Sequence, residues 1–132
     1  MLLLDTNICV EVLRGNRVVA ERLAAYTPSQ IVICSVVYAE LQHGARASAA
    51  VARNLRGVEA FCLPFVSLPF NDDCARIYGQ VRAQLQRMGT MIGSNDLMIA
   101  AIALEAGATL VTNDIDEFSQ VPELSVVSWA AT

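Results

Sequence analysis

The sequence contains no lysine: all nine of its basic residues are arginines, set against 13 acidic residues. This absence excludes several enzyme classes. A P-loop nucleotide site requires a lysine on the phosphates, and Schiff-base enzymes require a lysine amine. A phosphoacceptor receiver domain, whose fold could look similar, is also expected to use a lysine beside its acidic cluster. Any catalytic or binding site of this protein must therefore be built from other residue types.

Motifs built from cysteine and histidine are missing as well. The four cysteines, Cys9, Cys34, Cys62 and Cys74, are widely spaced, so no CxxC pair supports a zinc ribbon or a redox site. We interpret them as buried, reduced thiols of a cytoplasmic protein. His43 is the only histidine, and no G-x-S-x-G motif precedes a predicted helix, so a serine triad is not supported.

Targeting segments and long apolar runs are also lacking. An acidic residue follows the opening MLLL, which leaves no room for the apolar region of a signal peptide, and the longest apolar runs are too short to span a membrane. Apolar residues make up 55% and charged residues 17% of the chain, which excludes disorder. This composition predicts one domain over residues 1–132, with an extra buried surface such as a dimer interface.

Positive charge is absent from the last third of the chain, where no basic residue follows Arg87. Residues 1–87 carry nine arginines and seven acids, a sum of +2, whereas residues 88–132 carry six acids and no base, a sum of −6. Such a block is either a solvated acidic face or a set of carboxylates that hold a cation. The net charge of −4 argues against a generic basic surface for nucleic acid.

Short apolar runs alternate with amphipathic segments along the whole chain. Strands are predicted at 1–4, 31–34, 65–68, 108–112 and 124–129, and helices over about 7–14, 17–26, 35–45, 48–60, 72–88 and 95–106. The predicted helix caps are Thr6 or Asn7, Ser35, Asn71 or Asp72, and Ser94. Strands that are apolar on both faces are typical of a covered parallel sheet. The sequence therefore predicts an α/β/α sandwich with a mostly parallel sheet of about five strands.

Four carboxylates fall near the carboxyl ends of these predicted elements. Asp5 and Asp114 follow the first and fourth strands, Glu40 lies in the helix after the second, and Asp96 begins the helix before the fourth. Right-handed crossovers bring these ends to one edge of the sheet. Clustered carboxylates repel one another, and no arginine adjoins them in the sequence. We therefore expect Mg²⁺ or Mn²⁺ at this edge, an arrangement suited to phosphodiester hydrolysis.

Most of these acids also have an ordinary structural explanation. Asp5 could cap the helix that follows it, Asp96 could favour a helix N-terminus, and TNDID around Asp114 is a good turn sequence. Glu40 is harder to explain in this way, because apolar residues flank it. Two hydroxyl residues beside the acids are either hydrogen-bond donors to them or helix caps, namely Thr6 and Thr112.

Four motifs follow one another along the chain: LLLDTNICV, SVVYAELQHGA, IGSNDLMIAAIALEAGATLVTND and EFSQVPEL. In this order and spacing they resemble the PIN domain and, more narrowly, the VapC toxins of bacterial VapBC toxin–antitoxin modules. The resemblance implies a PIN-like three-layer sandwich and an endoribonuclease dependent on Mg²⁺ or Mn²⁺. It places the family's acids on Asp5, Glu40, Asp96 and Asp114. Because many relatives have asparagine at the last position, Glu117 is a reserve for the fourth acid.

The resemblance also implies partners. It suggests a homodimer with basic side chains lining its grooves, a hetero-oligomer with a VapB-type antitoxin, and an RNA substrate. Arg82 and Arg87 are candidates for holding phosphates, or else belong to a solvated helix face. The anticodon stem–loop of initiator tRNA is a candidate target. Two other functions remain open: a PIN-like module that binds RNA or protein without cutting, and a metal-dependent DNA nuclease with the same site.

Overall fold

A computed structural model describes residues 1–129 as a five-stranded sheet with helices on both faces. The spatial order of the strands is β3-β2-β1-β4-β5, and every neighbouring pair is parallel. The α/β architecture with five strands is thus confirmed, and the sheet is parallel throughout. The strands are β1 (Leu2–Leu4), β2 (Ile31–Cys34), β3 (Val66–Leu68), β4 (Thr109–Val111) and β5 (Val126–Val127).

Seven helices connect the strands, together with a short 3-10 turn at Pro28–Gln30. They are α1 (Thr6–Leu13), α2 (Arg17–Ala24), α3 (Ser35–Arg46), α4 (Val51–Cys62), α5 (Asp72–Arg87), α6 (Ser94–Ala106) and α7 (Ile115–Phe118). Helices α1 to α4 pack against one another, and α5 packs along α6. Because right-handed crossovers that run in opposite directions cover opposite faces of a sheet, these two groups form the outer layers.

The helix starts differ from the sequence predictions at three points. Asp5 is the N-cap of α1, in place of the predicted Thr6 or Asn7; its side chain accepts from the backbone N–H of Thr6, which confirms the alternative explanation given for Asp5. Ser35 is the first residue of α3, and its Oγ accepts from the backbone N–H of Phe70 instead of capping its own helix. Ser94 likewise begins α6, with Gly93 as the N-cap.

The sequence predicted no helix after β4. The single-turn helix α7 forms there, closed by a hydrogen bond from the backbone N–H of Phe118 to the carbonyl of Asp114. The Phe118 side chain is fully buried, so it fixes this turn to the core. Strand β5 is shorter than predicted and covers two residues.

The core packs α1, α3 and α6 against the central strands, and residues Leu97 and Ile99–Ala103 of α6 are buried. A helix that is apolar on nearly all sides is expected to be enclosed in this way. The four cysteines are buried as predicted, and burial raises the pKa values of Cys34 and Cys62 to about 11. No helix within residues 1–129 is both long and apolar enough to cross a membrane.

The order of the strands creates a switch point between β1 and β4. The chain leaves β1 towards β2 on one side, and later returns to place β4 on the other side. Asp5 and Thr112 follow these two strands, and the backbone N–H of Asp5 donates to the carbonyl of Val111 at 2.9 Å. Ligands of open α/β sheets bind at such a point, so the fold itself indicates where the site should lie.

Candidate active site

Asp5 is at the centre of the site, and its side chain is only 3% exposed. One carboxylate oxygen accepts from the backbone N–H of Thr6 at 2.8 Å, and the other accepts from the Thr112 hydroxyl at 2.6 Å. Burial raises the pKa of Asp5, these two hydrogen bonds oppose the rise, and the nearby charges of Glu40 and Asp114 add to it. Asp5 therefore caps α1 and also belongs to an acidic cluster.

Two threonines and an asparagine hold the neighbouring acids. The Thr6 hydroxyl donates to Glu40 at 2.7 Å, and the Thr112 hydroxyl accepts from the backbone N–H of Asp114 at 3.0 Å. The side chain of Asn7 donates to Asp114 at 3.2 Å and accepts from the backbone N–H of Asn113. The structure thus places both threonine hydroxyls in contact with the acids, where they fix the orientation of the carboxylates.

Asp96 occupies the opposite side of the site, in the first turn of α6. Burial raises its pKa to about 7, helped by a hydrogen bond and charge repulsion from Glu117 and by the charges of Asp5 and Glu40. Glu117 comes from α7, and one of its oxygens accepts from the backbone N–H of Gly93 at 3.3 Å. Two carboxyl groups therefore meet on this side of the site.

All four predicted acids line one cleft of about 350 Å³. The cleft is bordered by Asp5, Thr6, Asn7, Val10, Glu11, Arg14, Glu40, Asp96 and Asp114. Although 109 positions separate the first acid from the last, the topology brings them together, as the sequence predicted.

Two charged residues of this lining were missed from the sequence. Glu11 and Arg14 follow Asn7 at helical spacing, so α1 presents them on the same face. No arginine adjoins the acids in the sequence, but Arg14 lines the cleft with them, because two turns of helix separate it from Asn7.

The other predicted residues lie elsewhere. Neither Arg82 nor Arg87 lines the acidic cleft; both are exposed on α5, and the guanidinium of Arg82 donates to the Tyr78 hydroxyl at 2.8 Å. Their RNA-binding role stays a prediction. His43 is exposed near the end of α3 and is also outside the cleft.

The chemistry of the donors fits a hard divalent cation. The acids offer oxygen atoms only, and the mutual repulsion at Asp96 is the kind of cost that a cation removes. In the described part of the chain, no three side chains among His, Cys, Asp and Glu are already arranged to hold a metal ion. Mg²⁺ retains several waters and commonly uses only one or two carboxylates directly, so a preformed cage is not required.

Comparisons with known proteins agree with this geometry. The family model described as "PIN domain" matches residues 2–124. The chain is 38% identical to "Ribonuclease VapC2" of Rickettsia felis and 37% identical to "tRNA(fMet)-specific endonuclease VapC" of Salmonella typhimurium, with 96% of both chains covered each time. Two solved structures superpose closely: VapBC2 of Rickettsia felis bound to a promoter DNA fragment, with a TM-score of 0.90, and DNA-bound VapBC of Salmonella typhimurium, with 0.92. Both are 35% identical and cover 98% of each chain.

Proposed function

The chain belongs to the PIN-domain family, and on that premise we propose that it is a Mg²⁺- or Mn²⁺-dependent endoribonuclease, the toxin of a toxin–antitoxin pair. The observation that carries the proposal is the set of four carboxylates in one cleft at the switch point of the sheet. Repulsion among these carboxylates costs free energy. Such a cost is typical of functional sites, where the clustered acids bind a ligand. A bound divalent cation would supply positive charge to activate water and stabilise the leaving oxygen.

The contacts of each acid suggest its role. Asp5 and Asp96 face the cleft from opposite sides and are the proposed main metal ligands. Glu40 and Asp114 complete the site or position the attacking water. Thr6 and Thr112 donate hydrogen bonds to the carboxylates of Asp5 and Glu40, and the Thr112 hydroxyl also accepts from the backbone N–H of Asp114. Glu117 contacts Asp96, which makes it an alternative to Asp114 as the fourth acid.

The proposed substrate is a single-stranded loop within a structured RNA. Water-mediated cleavage needs an accessible backbone, which loops provide and paired helices do not. The relatives named as tRNA(fMet)-specific endonucleases make the anticodon stem–loop of initiator tRNA the first target to test. Because tRNA is a cytoplasmic molecule, the cytoplasm is the proposed location.

The proposed protein partners are a second copy of this chain and a VapB-type antitoxin. The solved VapBC complexes support the second of these partners. An acidic cleft attracts a basic side chain of a partner, which would block the site by occupying it. Exposed methionines at the end of α5 and in the loop that follows support an apolar interface, since Met88 and Met91 are 56% and 57% exposed. Light scattering with and without the antitoxin would measure both associations.

The decisive experiment treats total bacterial RNA with purified wild type and with Asp96→Asn, in Mg²⁺, Mn²⁺ or EDTA. We expect a discrete product from wild type with metal and none from the variant or with EDTA. Sequencing the product ends would identify the target. A DNA copy of the target loop, cut equally fast, would favour the DNA nuclease instead. Folded wild type that yields no product and shows no saturable Mn²⁺ binding by calorimetry would favour the non-catalytic binding module.

A further inference from the structure

Arg14 lies where the acidic cleft opens into a second, larger groove. The groove has a volume of about 540 Å³ and is formed by α1, α3, α4 and the turn between α3 and α4. Val10, Arg14 and Glu40 line both cavities, so the two form one continuous depression. Arg53 of α4 lines the groove as well. A chain-like ligand that enters the cleft can therefore continue into the groove past Arg14.

Both arginines keep their charge available. Within residues 1–129, the only ion pair joins Arg76 to Asp73, so neither Arg14 nor Arg53 is paired with an acid. The acid closest to Arg14 in the sequence, Glu11, accepts instead from the side chain of Asn16 at 2.8 Å. Among the described residues that line the acidic cleft, Arg14 is also the only basic one. An exposed guanidinium with free donors is well suited to bind a phosphate.

The rest of the groove suits the less polar part of a nucleotide. Its lining includes the apolar side chains of Val10, Leu13, Leu41 and Val58, and contains no aromatic residue. Unstacked bases can pack against such a surface, while the lack of aromatic stacking platforms predicts little base preference there. Carboxylates in the cleft repel every phosphate that a metal ion does not neutralise. A cation at the exit of the cleft offsets this repulsion for the neighbouring phosphate.

We propose that the RNA strand leaves the catalytic cleft through this groove, with Arg14 on the phosphate next to the scissile one and Arg53 on a phosphate further along. The inference rests on the proposed ribonuclease function and specifies the path of its substrate. It makes Arg14 a residue that positions substrate, distinct from the acids that act on the scissile phosphate.

The test compares Arg14→Gln and Arg53→Gln with Arg17→Gln and Arg56→Gln. Arg17 is the first residue of α2, and Arg56 lies one helical turn after Arg53 in α4; both are exposed, and neither lines the groove. Each variant is assayed for cleavage of the RNA that wild type cuts. A charge-assisted contact to phosphate predicts about a tenfold rise in KM for Arg14→Gln with little change in kcat. The controls should stay within about twofold of wild type, and Arg14→Lys should recover part of the loss.

Binding provides a readout separate from catalysis. Fluorescence anisotropy of a fluorescein-labelled oligouridylate, with EDTA present, should show weaker binding for Arg14→Gln and Arg53→Gln. Loss of one phosphate contact should lower the slope of log affinity against log salt concentration by about 0.7. Mn²⁺ affinity measured by calorimetry should not weaken, because the lost group is a cation and not a ligand.

The outcomes separate this inference from the proposed function. If wild type cuts no RNA, the ribonuclease proposal fails. If wild type cuts but Arg14→Gln matches Arg17→Gln in KM and salt dependence, the substrate path is wrong. A fall in kcat alone, with KM unchanged, would mean that Arg14 acts on the catalytic carboxylates and not on the RNA. That result would overturn the proposed path of the RNA strand. If the variants bind RNA normally but lose affinity for the antitoxin, the groove binds the antitoxin. That result would also overturn the proposed path of the RNA strand.

Discussion

The two sides of the acidic cleft treat their carboxylates differently. On the side of β1 and β4, Asp5 accepts hydrogen bonds from Thr6 and Thr112, and Glu40 accepts one from the Thr6 hydroxyl. On the side of α6, Asp96 has the carboxyl group of Glu117 as its polar neighbour. The first side is arranged by the protein's own donors. The second carries a repulsion that only a proton or a cation can relieve.

The helix dipole at the N-terminus of α6 favours a negative charge and so acts to lower the pKa of Asp96. That effect amounts to about 0.3–1 kcal/mol, which is less than one pKa unit. Burial and Glu117 instead raise the pKa of Asp96 from 3.8 to about 7, so they outweigh the dipole. The difference between the two sides therefore reflects their neighbours and not the elements that carry the acids.

The strongest test of the side with donors is Asp5→Asn. We expect cleavage to fall by more than about 100-fold, because loss of a direct metal ligand should cost more than loss of a supporting contact. The fold should persist, since the asparagine oxygen can still accept from Thr6 and its amide can donate to the Thr112 hydroxyl. Because the pKa of Asp5 is raised in the native state, the melting temperature should be equal or higher.

The control for this variant is Asp116→Asn, an exposed acid of α7 outside the cleft. It should cleave RNA as wild type does. An Asp5→Asn protein that cleaves at the wild-type rate with Mg²⁺ would contradict the assignment. If Asp5→Asn loses its circular dichroism spectrum together with its activity, the variant has not folded. The role of Asp5 is then tested by titrating Asp5→Glu with metal, and this variant should retain metal binding.

A smaller effect is expected from Thr112→Val, which removes the hydroxyl group and keeps the shape. Thr112 is fully buried and donates to a carboxylate, so its loss should destabilise the fold by about 1–3 kcal/mol. Cleavage should fall by about tenfold, as for other groups that orient metal ligands. Urea unfolding and steady-state kinetics measure the two effects.

Thr109→Val is the matched control, at the opposite end of β4 from Thr112. Its hydroxyl is partly exposed and hydrogen-bonds to the Ser125 hydroxyl at 3.1 Å. This change should cost less than about 1 kcal/mol and leave cleavage unchanged. Equal losses in stability and activity for the two variants would mean that the Thr112 hydroxyl does not orient Asp5, and the contrast between the two sides of the cleft would lose its basis.

The sequence predicted the four acids and the parallel sheet because both depend on local patterns. Apolar runs mark strands, and topology then gathers the strand ends without any need for side-chain detail. Arg14 was missed because its approach to the acids depends on the phase of α1 and not on proximity along the chain. The resemblance named Glu117 as a reserve acid, but its contact with Asp96 could not be derived from the sequence. It depends on α7, whose formation is driven by burial of Phe118 more than by helix propensity.

The smallest expected effect concerns the other side of the cleft, through Glu117→Gln. In wild type the folded state holds a proton on Asp96 between pH 3.8 and about 7 that the unfolded chain has released. The stability of the metal-free protein should therefore decline as pH rises through this window and level off above it.

Glutamine at position 117 removes the repulsion and can donate a hydrogen bond to Asp96, which lowers the pKa of Asp96 and weakens this decline. Melting temperatures in EDTA at pH 5 and pH 8 should differ less in Glu117→Gln than in wild type, whereas Glu105→Gln, an exposed change on α6, should retain the wild-type difference. An unchanged difference in Glu117→Gln would show that burial alone sets the behaviour of Asp96, and that the two sides of the cleft differ in depth and not in their partners.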